Sequence, residues 1–323
     1  MIKRVVEVGS PARLRVQHRQ LVVDLDEGAP VSIPIEDMGV LLLDHPEVTI
    51  TVPVLVALAD AGAAVVACGP RHLPVLLALP MAGNSLHAQI VAAQADASRP
   101  RAKRLWQRVV MSKIRAQANC LRDCGRVSDE IDVRFAAFAA NVRSGDPENI
   151  EAQAARAYWP LLFDAAFRRD QDAKEWPTIN AALNYGYAVV RAAVARAVVG
   201  SGLHPALGIH HCNQYNAFAL ADDLMEPLRP AVDAEVFGLW QRGELGDDLT
   251  RAHRITLVGI LTRDLDVGDG RRLPFLAGLP LFTAAVARWL AEETDDLPLP
   301  PKLWSDMPRS ASEMKQAVDN ETP

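Results

Sequence analysis

Near residue 80 the hydrophobic pattern of this chain changes its period. From Val5 to about Ala78, short runs rich in Val, Ile and Leu, such as Leu21 to Leu25 and Val40 to Leu43, are separated by Gly, Pro, Asp and Asn, as strands are. Pro80 to Asn84, with Gly83, breaks that pattern, and beyond it apolar residues recur at helical spacing almost to the end. The expected fold is therefore α+β, with a β-rich N-terminal domain over 1–80 and a larger all-α domain over 81–304. Within the β-rich domain a helix is expected at Val54 to Ala61, and strands at Ala64 to Cys68 and Pro74 to Leu79. His45 and His72 fall in turns and read as ordinary surface histidines. From Asp296 the chain is Pro-rich and then polar, which predicts a segment docked through Leu303 and Trp304 and a disordered tail over 305–323.

Composition narrows the function classes. With 323 residues, half of them hydrophobic, the chain can bury a substantial core. No apolar run approaches the length of a bilayer span, and Met1-Ile2-Lys3-Arg4-Val5 leads straight into a strand pattern, so no membrane partner and a cytoplasmic location are expected. Cys68, Cys120, Cys124 and Cys212 are too scattered for a disulfide framework, and Cys120 with Cys124 lacks the second ligand pair of a zinc site. The net charge of −6 argues against a uniformly basic nucleic-acid binder. Between Arg99 and Arg126, however, nine basic residues face one acid, Asp123. A helix from about Ser98 or Pro100 through Asn119 would turn Leu105, Val109, Ile114 and Ala118 inward and Arg101, Arg104, Arg108 and Arg115 outward. Such a row is a solvated face or a phosphate track, and spacing alone favours the solvated face.

Potential metal-ligand chemistry is densest from Leu207 to Asp233. His210 and His211 follow Gly208, a polar turn carries Asn213, Gln214 and Asn216, and the next helix carries Asp222, Asp223 and Glu226. Spacings of i,i+3 (Asp223, Glu226) and i,i+4 (Asp222, Glu226) place carboxylates on one helical face, where they repel unless a cation or basic side chain intervenes. An imidazole from the preceding turn would complete a mixed N/O site for Mg²⁺ or Mn²⁺, although a solvated acidic face explains the spacing as well. Upstream, Asp146 reads as an N-cap and Pro147 as the first residue of a helix whose apolar stripe is Ile150, Ala154, Ala157, Leu161 and Ala165, with Glu151 on its border. The segment from Thr178 to Tyr187 begins another helix, whose Asn184 and Tyr185 suit either supporting hydrogen bonds or plain packing. Further helices are expected at Arg251 to Asp264 and Pro280 to Glu292, the former adding basic character through Arg254.

Three blocks in order, EAQAARAYW after a capped turn, LNYGYA, and LGIHH followed fifteen residues later by the Glu of DDLMEPLRP, resemble the CRISPR adaptation integrase, CRISPR-associated protein one. The similarity extends over nearly the whole chain and includes the RLWQRVVMSKIRAQ helix. The wording of LGIHH and DLMEPLRP is most like the integrases of systems with a single large effector nuclease. The resemblance implies a metal-dependent DNA endonuclease and integrase that inserts spacer DNA into a repeat array by attack of a 3′-hydroxyl on a phosphodiester. It places the catalytic and metal-binding residues on Glu151, His211 and Glu226, gives Asp223 a supporting role, and leaves His210 as an adjacent imidazole. Mg²⁺ or Mn²⁺ is the implied cofactor. The implied partners are double-stranded DNA, a second copy of the chain through the N-terminal domain, a small partner subunit and the effector nuclease. Arg101, Arg104, Arg108, Arg115 and Arg254 would then hold DNA backbone without reading sequence. The competing reading is a catalytically silent DNA-binding scaffold of the same fold.

Overall fold

The computed structural model describes residues 3–303 apart from 27, 70–71, 73, 81–82, 171–178, 247–248 and 269. Its strand-rich region runs β1 (Arg4–Val8), β2 (Ala12–Gln17), β3 (Gln20–Leu25), β4 (Val31–Pro34), β5 (Met38–Leu43), β6 (Val48–Ile50), α1 (Val52–Asp60), β7 (Ala64–Cys68) and β8 (Pro74–Ala78). Two four-stranded sheets result, ordered β1-β5-β7-β8 and β4-β3-β2-β6. In the first, β1, β5 and β7 are parallel and β8 closes one edge antiparallel.

Period-two alternation gives that first sheet two apolar faces. Leu41 and Val65, with Met38 before the register shift of the β1–β5 pairing, join Leu14, Leu21, Val54 and Leu58 in a core shared with the second sheet and α1. Val40, Leu42 and Val66 face the other way and enter the core of the helical region. The boundary expected near residue 80 is thus a change of element type across a shared core.

The helical region comprises α2 (His87–Ala95), α3 (Arg99–Asp123), α4 (Asp129–Asn141), α5 (Ile150–Leu162), α6 (Ile179–Gly200), α7 (Ala219–Met225), a 3₁₀ turn at Glu226–Leu228, α8 (Arg229–Gln241), α9 (Arg251–Gly259) and α10 (Phe275–Leu290). Apolar and small on every side, α6 lies at the centre and packs on α7, α8, α9, α10 and the first sheet. Gly186, in the LNYGYA block, has a packing reason: a Cβ there would sit 2.4 Å from Val232 Cγ1 of α8.

The helical region also carries a small sheet. Asp264–Asp266 (β9), Arg272–Pro274 (β10) and Lys302–Leu303 (β11) form a three-stranded sheet ordered β10-β9-β11. Strands of two or three residues are too short to show a period of two in sequence. The expected docking through Leu303 corresponds to β11, whereas Trp304 and the tail over 305–323 lie outside the described residues.

Candidate active site

The site grows from two irregular turns. Helix α5 starts at Ile150, three residues later than the Asp146-Pro147 reading. Asp146 (φ 49°) and Asn149 (φ 53°) are both left-handed, a conformation through which a helix cannot propagate, so Pro147 stays in the turn. Asp146 caps from a distance, its carboxylate accepting from Ile150 N at 2.9 Å and Glu151 N at 3.0 Å, while Asn149 Oδ1 accepts from Ala152 N. The buried stripe is Ile150, Ala154, Tyr158 and Leu162; Ala157 and Leu161 are half-buried, and Ala165 is exposed beyond the helix end. Glu151 stands one position round from that stripe and reaches inward over α3.

The second turn, from Leu207 to Asn216, wraps around Asp223 of α7. Asp223 is fully buried, and its Oδ2 accepts from Ile209 N at 2.8 Å and His210 N at 2.9 Å. Its Oδ1 lies 2.5 Å from His211 Nδ1. Gly208 is required by this wrap, because a Cβ would meet His211 O at 2.4 Å and Asp223 Oδ2 at 3.0 Å. With Nδ1–H donated to the carboxylate, Nε2 of His211 presents its lone pair outward, the orientation a metal-ligating imidazole needs. The hydrogen bond to Asp223 raises the His211 pKa against burial, and Asp223, Glu226 and Glu151 add their negative field. His210 is engaged differently: it stacks on Trp106 of α3, centroids 4.2 Å apart and planes within 4°, and burial with neighbouring His211 lowers its pKa.

Between Glu151 and Glu226 stands Lys113 of α3. Its Nζ donates to Glu151 Oε1 and lies 2.5 Å from Glu226 Oε2, and the side chain is 11% exposed. Arg229 Nε reaches Glu226 Oε1 at 3.1 Å, and its guanidinium lies 4.8 Å over the Tyr187 ring. Burial pushes the Glu226 carboxyl up, but Arg229 and Lys113 outweigh it and leave the group below its ordinary value. Burial likewise depresses Lys113, and Glu226 and Glu151 more than reverse this. Two acids and two bases therefore cancel in one pocket. Among the described residues, no three His, Cys, Asp or Glu side chains are arranged to hold a metal ion. The donor set itself, two carboxylates and an oriented imidazole nitrogen, fits a hard or borderline divalent ion. Glu226 Oε2 is buried, and Lys113 is the cation that faces it.

Sequence reasoning missed Lys113 and Arg229. Lys113 left a signal: it falls four residues after Val109, three after Val110 and four before Gln117, on the buried face of α3. A lysine in an apolar row demands a partner. The expected pairing of Asp222 with Glu226 does not occur, because Asp222 accepts from Arg191 Nε at 2.6 Å and Asn216 Nδ2 at 2.8 Å.

Other expected residues lie elsewhere. Tyr185 is buried toward Cys68, Glu7 and Asp44 on the sheet side of α6, the packing alternative of its two readings. Asn184 accepts from Arg169 Nη2 at 2.6 Å. The expectation for Arg254 is corrected: it is buried, 2.5 Å from Asp44 Oδ2 and 3.5 Å from Glu7 Oε1, and joins α9 to the first sheet instead of facing a duplex. His72 pairs with the same buried Asp44 at 2.9 Å. Arg101 is committed internally, donating to Trp289 O, Thr294 O and Asp295 Oδ1. Arg104 and Arg115 are exposed and Arg108 is half-exposed. At about 100° per residue these three share the side of α3 opposite Lys113.

The family described as "CRISPR associated protein Cas1" matches residues 6–259. A CRISPR-associated endonuclease Cas1 from Neisseria meningitidis serogroup C is 38% identical over 83% of this chain and 86% of its own. Another, from Pyrobaculum aerophilum, is 29% identical over 84% of this chain and 94% of its own. Among solved structures, a casposase bound to integration product superposes with a TM-score of 0.75 at 18% identity, over 98% of both chains. A Cas1 protein from Thermotoga maritima superposes with a TM-score of 0.71 at 15% identity, over 94% of this chain and 100% of that one. The chain of a Cas6-RT-Cas1–Cas2 complex gives 0.69 at 15% identity, over 95% of this chain and 36% of that one.

Proposed function

The chain belongs to the Cas1 family of CRISPR-associated proteins, and from that premise we propose that it is a divalent-metal-dependent DNA endonuclease and integrase that joins spacer DNA to a CRISPR repeat. The observation that carries this reading is that three distant segments bring Glu151 and Glu226 onto Lys113 and an Asp223-oriented His211 within their electrostatic reach. Mg²⁺ or Mn²⁺ is the proposed cofactor, held by Glu151, Glu226 and His211; when bound it neutralises developing charge and lowers the pKa of an attacking hydroxyl.

The protein's residues bind and orient. Arg229, resting on Tyr187, fixes the Glu226 carboxylate, and Asp146 fixes the first turn of α5 beneath Glu151. Asp223 sets the tautomer and the ring direction of His211. No serine, cysteine or lysine nucleophile is needed, since the nucleophile is the 3′-hydroxyl of the incoming DNA. One P–O bond forms to that oxygen, one P–O bond to the repeat strand breaks, and the proton lost by the attacking hydroxyl is balanced at the departing 3′-oxygen. Bond number is conserved, so the exchange requires no external energy source.

Double-stranded DNA, a second copy and a small partner subunit complete the proposed assembly, with the effector nuclease as a further partner. The names of the structural neighbours, a casposase bound to integration product and a Cas6-RT-Cas1–Cas2 complex, support a nucleic-acid substrate and the small subunit. A homodimer is supported by apolar side chains on the outside of the strand-rich region: Val75 and Leu76 on edge strand β8, and Val52 and Val56 on α1.

The test is strand transfer from a short duplex with free 3′-hydroxyls into a repeat-bearing plasmid, with the small subunit and Mg²⁺ or Mn²⁺ present. Glu151→Ala, His211→Ala and Glu226→Ala should each lower transfer at least about a hundredfold while leaving duplex binding in place. Transfer that survives all three, or needs no divalent ion, would overturn the proposal. Duplex binding without transfer by the intact protein would favour the silent scaffold.

A further inference from the structure

Lys113 plays no role in the mechanism above, yet it occupies the centre of the site. Its Nζ contacts one oxygen of each acid, Glu151 Oε1 and Glu226 Oε2, whereas Arg229 contacts only the outer oxygen of Glu226. The side chain comes from the buried face of α3, where an ammonium is costly unless paired. Glu151 and Glu226 reach the pocket from different elements and would repel each other there without a cation between them. Both the lysine's burial and the proximity of the acids are thus explained by the same contact.

Resting on the metal reading just given, we infer that Lys113 is a positioning residue that stands in for the divalent ion in the unloaded protein, and that the ion enters by displacing its ammonium. Charge decides the order. As it stands, Glu151 and Glu226 balance Lys113 and Arg229. A divalent ion added on top would leave two uncompensated positive charges in a buried pocket, which a low-dielectric surrounding penalises heavily. Departure of Lys113 removes one of them, and a DNA phosphate removes the other. Lys113 is the base that must leave, because it holds the two oxygens that face each other. A flexible stem carrying a compact charge suits such a placeholder better than a guanidinium locked in a planar fork. Lysine and ion therefore compete, so that removing the lysine's charge tightens ion binding while loosening the empty site.

The experiment is a Mn²⁺ titration of the full chain without DNA, read by the electron paramagnetic resonance signal of free Mn²⁺ alongside thermal melts. Lys113→Met should melt lower than the wild type when empty, bind Mn²⁺ about tenfold or more tightly, and show the larger Mn²⁺-induced rise in melting temperature. Lys113→Arg, which restores the charge, should return the affinity toward that of the wild type. A purely structural lysine would lower the melting temperature and leave affinity unchanged or weaker, and that result overturns the inference. Should Lys113→Met fail to fold, the wild type decides by amine acylation mapped by mass spectrometry. Mn²⁺ should raise labelling at Lys113 selectively, and unchanged labelling with Mn²⁺ bound counts against displacement. If neither wild type nor variant binds Mn²⁺, the metal reading falls and takes this inference with it; if the wild type binds and the variant binds no tighter, this inference falls alone.

Discussion

At the level of single residues, much of the charge this protein buries, Lys113, Asp146, Asp222, Asp223 and Glu226, surrounds the proposed site. Asp233 of α8 is the clearest case for a measurement away from the metal ligands. Tyr158 OH donates to it at 2.9 Å and Tyr187 OH donates to its other oxygen. Burial pushes its pKa up to about 6, only partly countered by the two tyrosines, Arg169 and Arg229. The folded protein therefore holds a proton on Asp233 in a pH range where the unfolded chain, near the ordinary aspartate value, has released it. Its contribution to stability is present at about pH 4 and is lost as pH rises through about 6. Comparing Asp233→Asn with the wild type by urea unfolding between pH 4 and 7, the wild type's stability relative to the variant should fall by up to roughly 3 kcal/mol across that window. A pH-independent difference would place the ordinary carboxylate pKa in the fold.

Among the elements, α3 carries three separate tasks. Its buried face packs through Leu105, Trp106, Val109 and Ile114 and delivers Lys113 to the acids. Arg101, near its start, ties the helix to the last turn of α10 through Trp289 O and to the chain after it through Thr294 O and Asp295. Arg101→Ala should therefore lower stability by about 1–3 kcal/mol in a thermal or urea melt, since buried carbonyl groups lose their donor. Arg104, Arg108 and Arg115 share the side of Arg101, opposite Lys113. If that face tracks DNA backbone, the triple Ala variant should reduce the slope of log affinity against log salt by about one unit for each phosphate no longer neutralised. An unchanged slope would make it a solvated face. The row of arginines was legible in the sequence, but its division was not. Spacing shows which residues share a side of a helix, whereas the carbonyls that occupy Arg101 come from the far end of the chain. The same distance hid the partners of Arg254, Glu7 and Asp44.

For the molecule as a whole, the change of period near residue 80 gave the element types, and the capped turn, LNYGYA and LGIHH blocks pointed to the family. Period alone could not show that β5 and β7 feed one face into the helical core, because a strand buried on both faces reads simply as apolar. Nor could it show the three-stranded sheet, whose strands are shorter than one readable repeat. In the candidate site, Glu151, His211 and Glu226 were visible through the resemblance, and Asp223 through its spacing. Lys113 was visible only as an exception on an apolar face. The central claim is that Glu151, His211 and Glu226 share one divalent ion, and the most direct measurement is anomalous scattering from crystals of the full chain soaked in Mn²⁺. The expected result is a manganese peak within about 2.0–2.6 Å of a Glu151 oxygen, a Glu226 oxygen and His211 Nε2, with Lys113 withdrawn from between the acids. A peak at other residues, or none at a concentration that supports strand transfer, would contradict it.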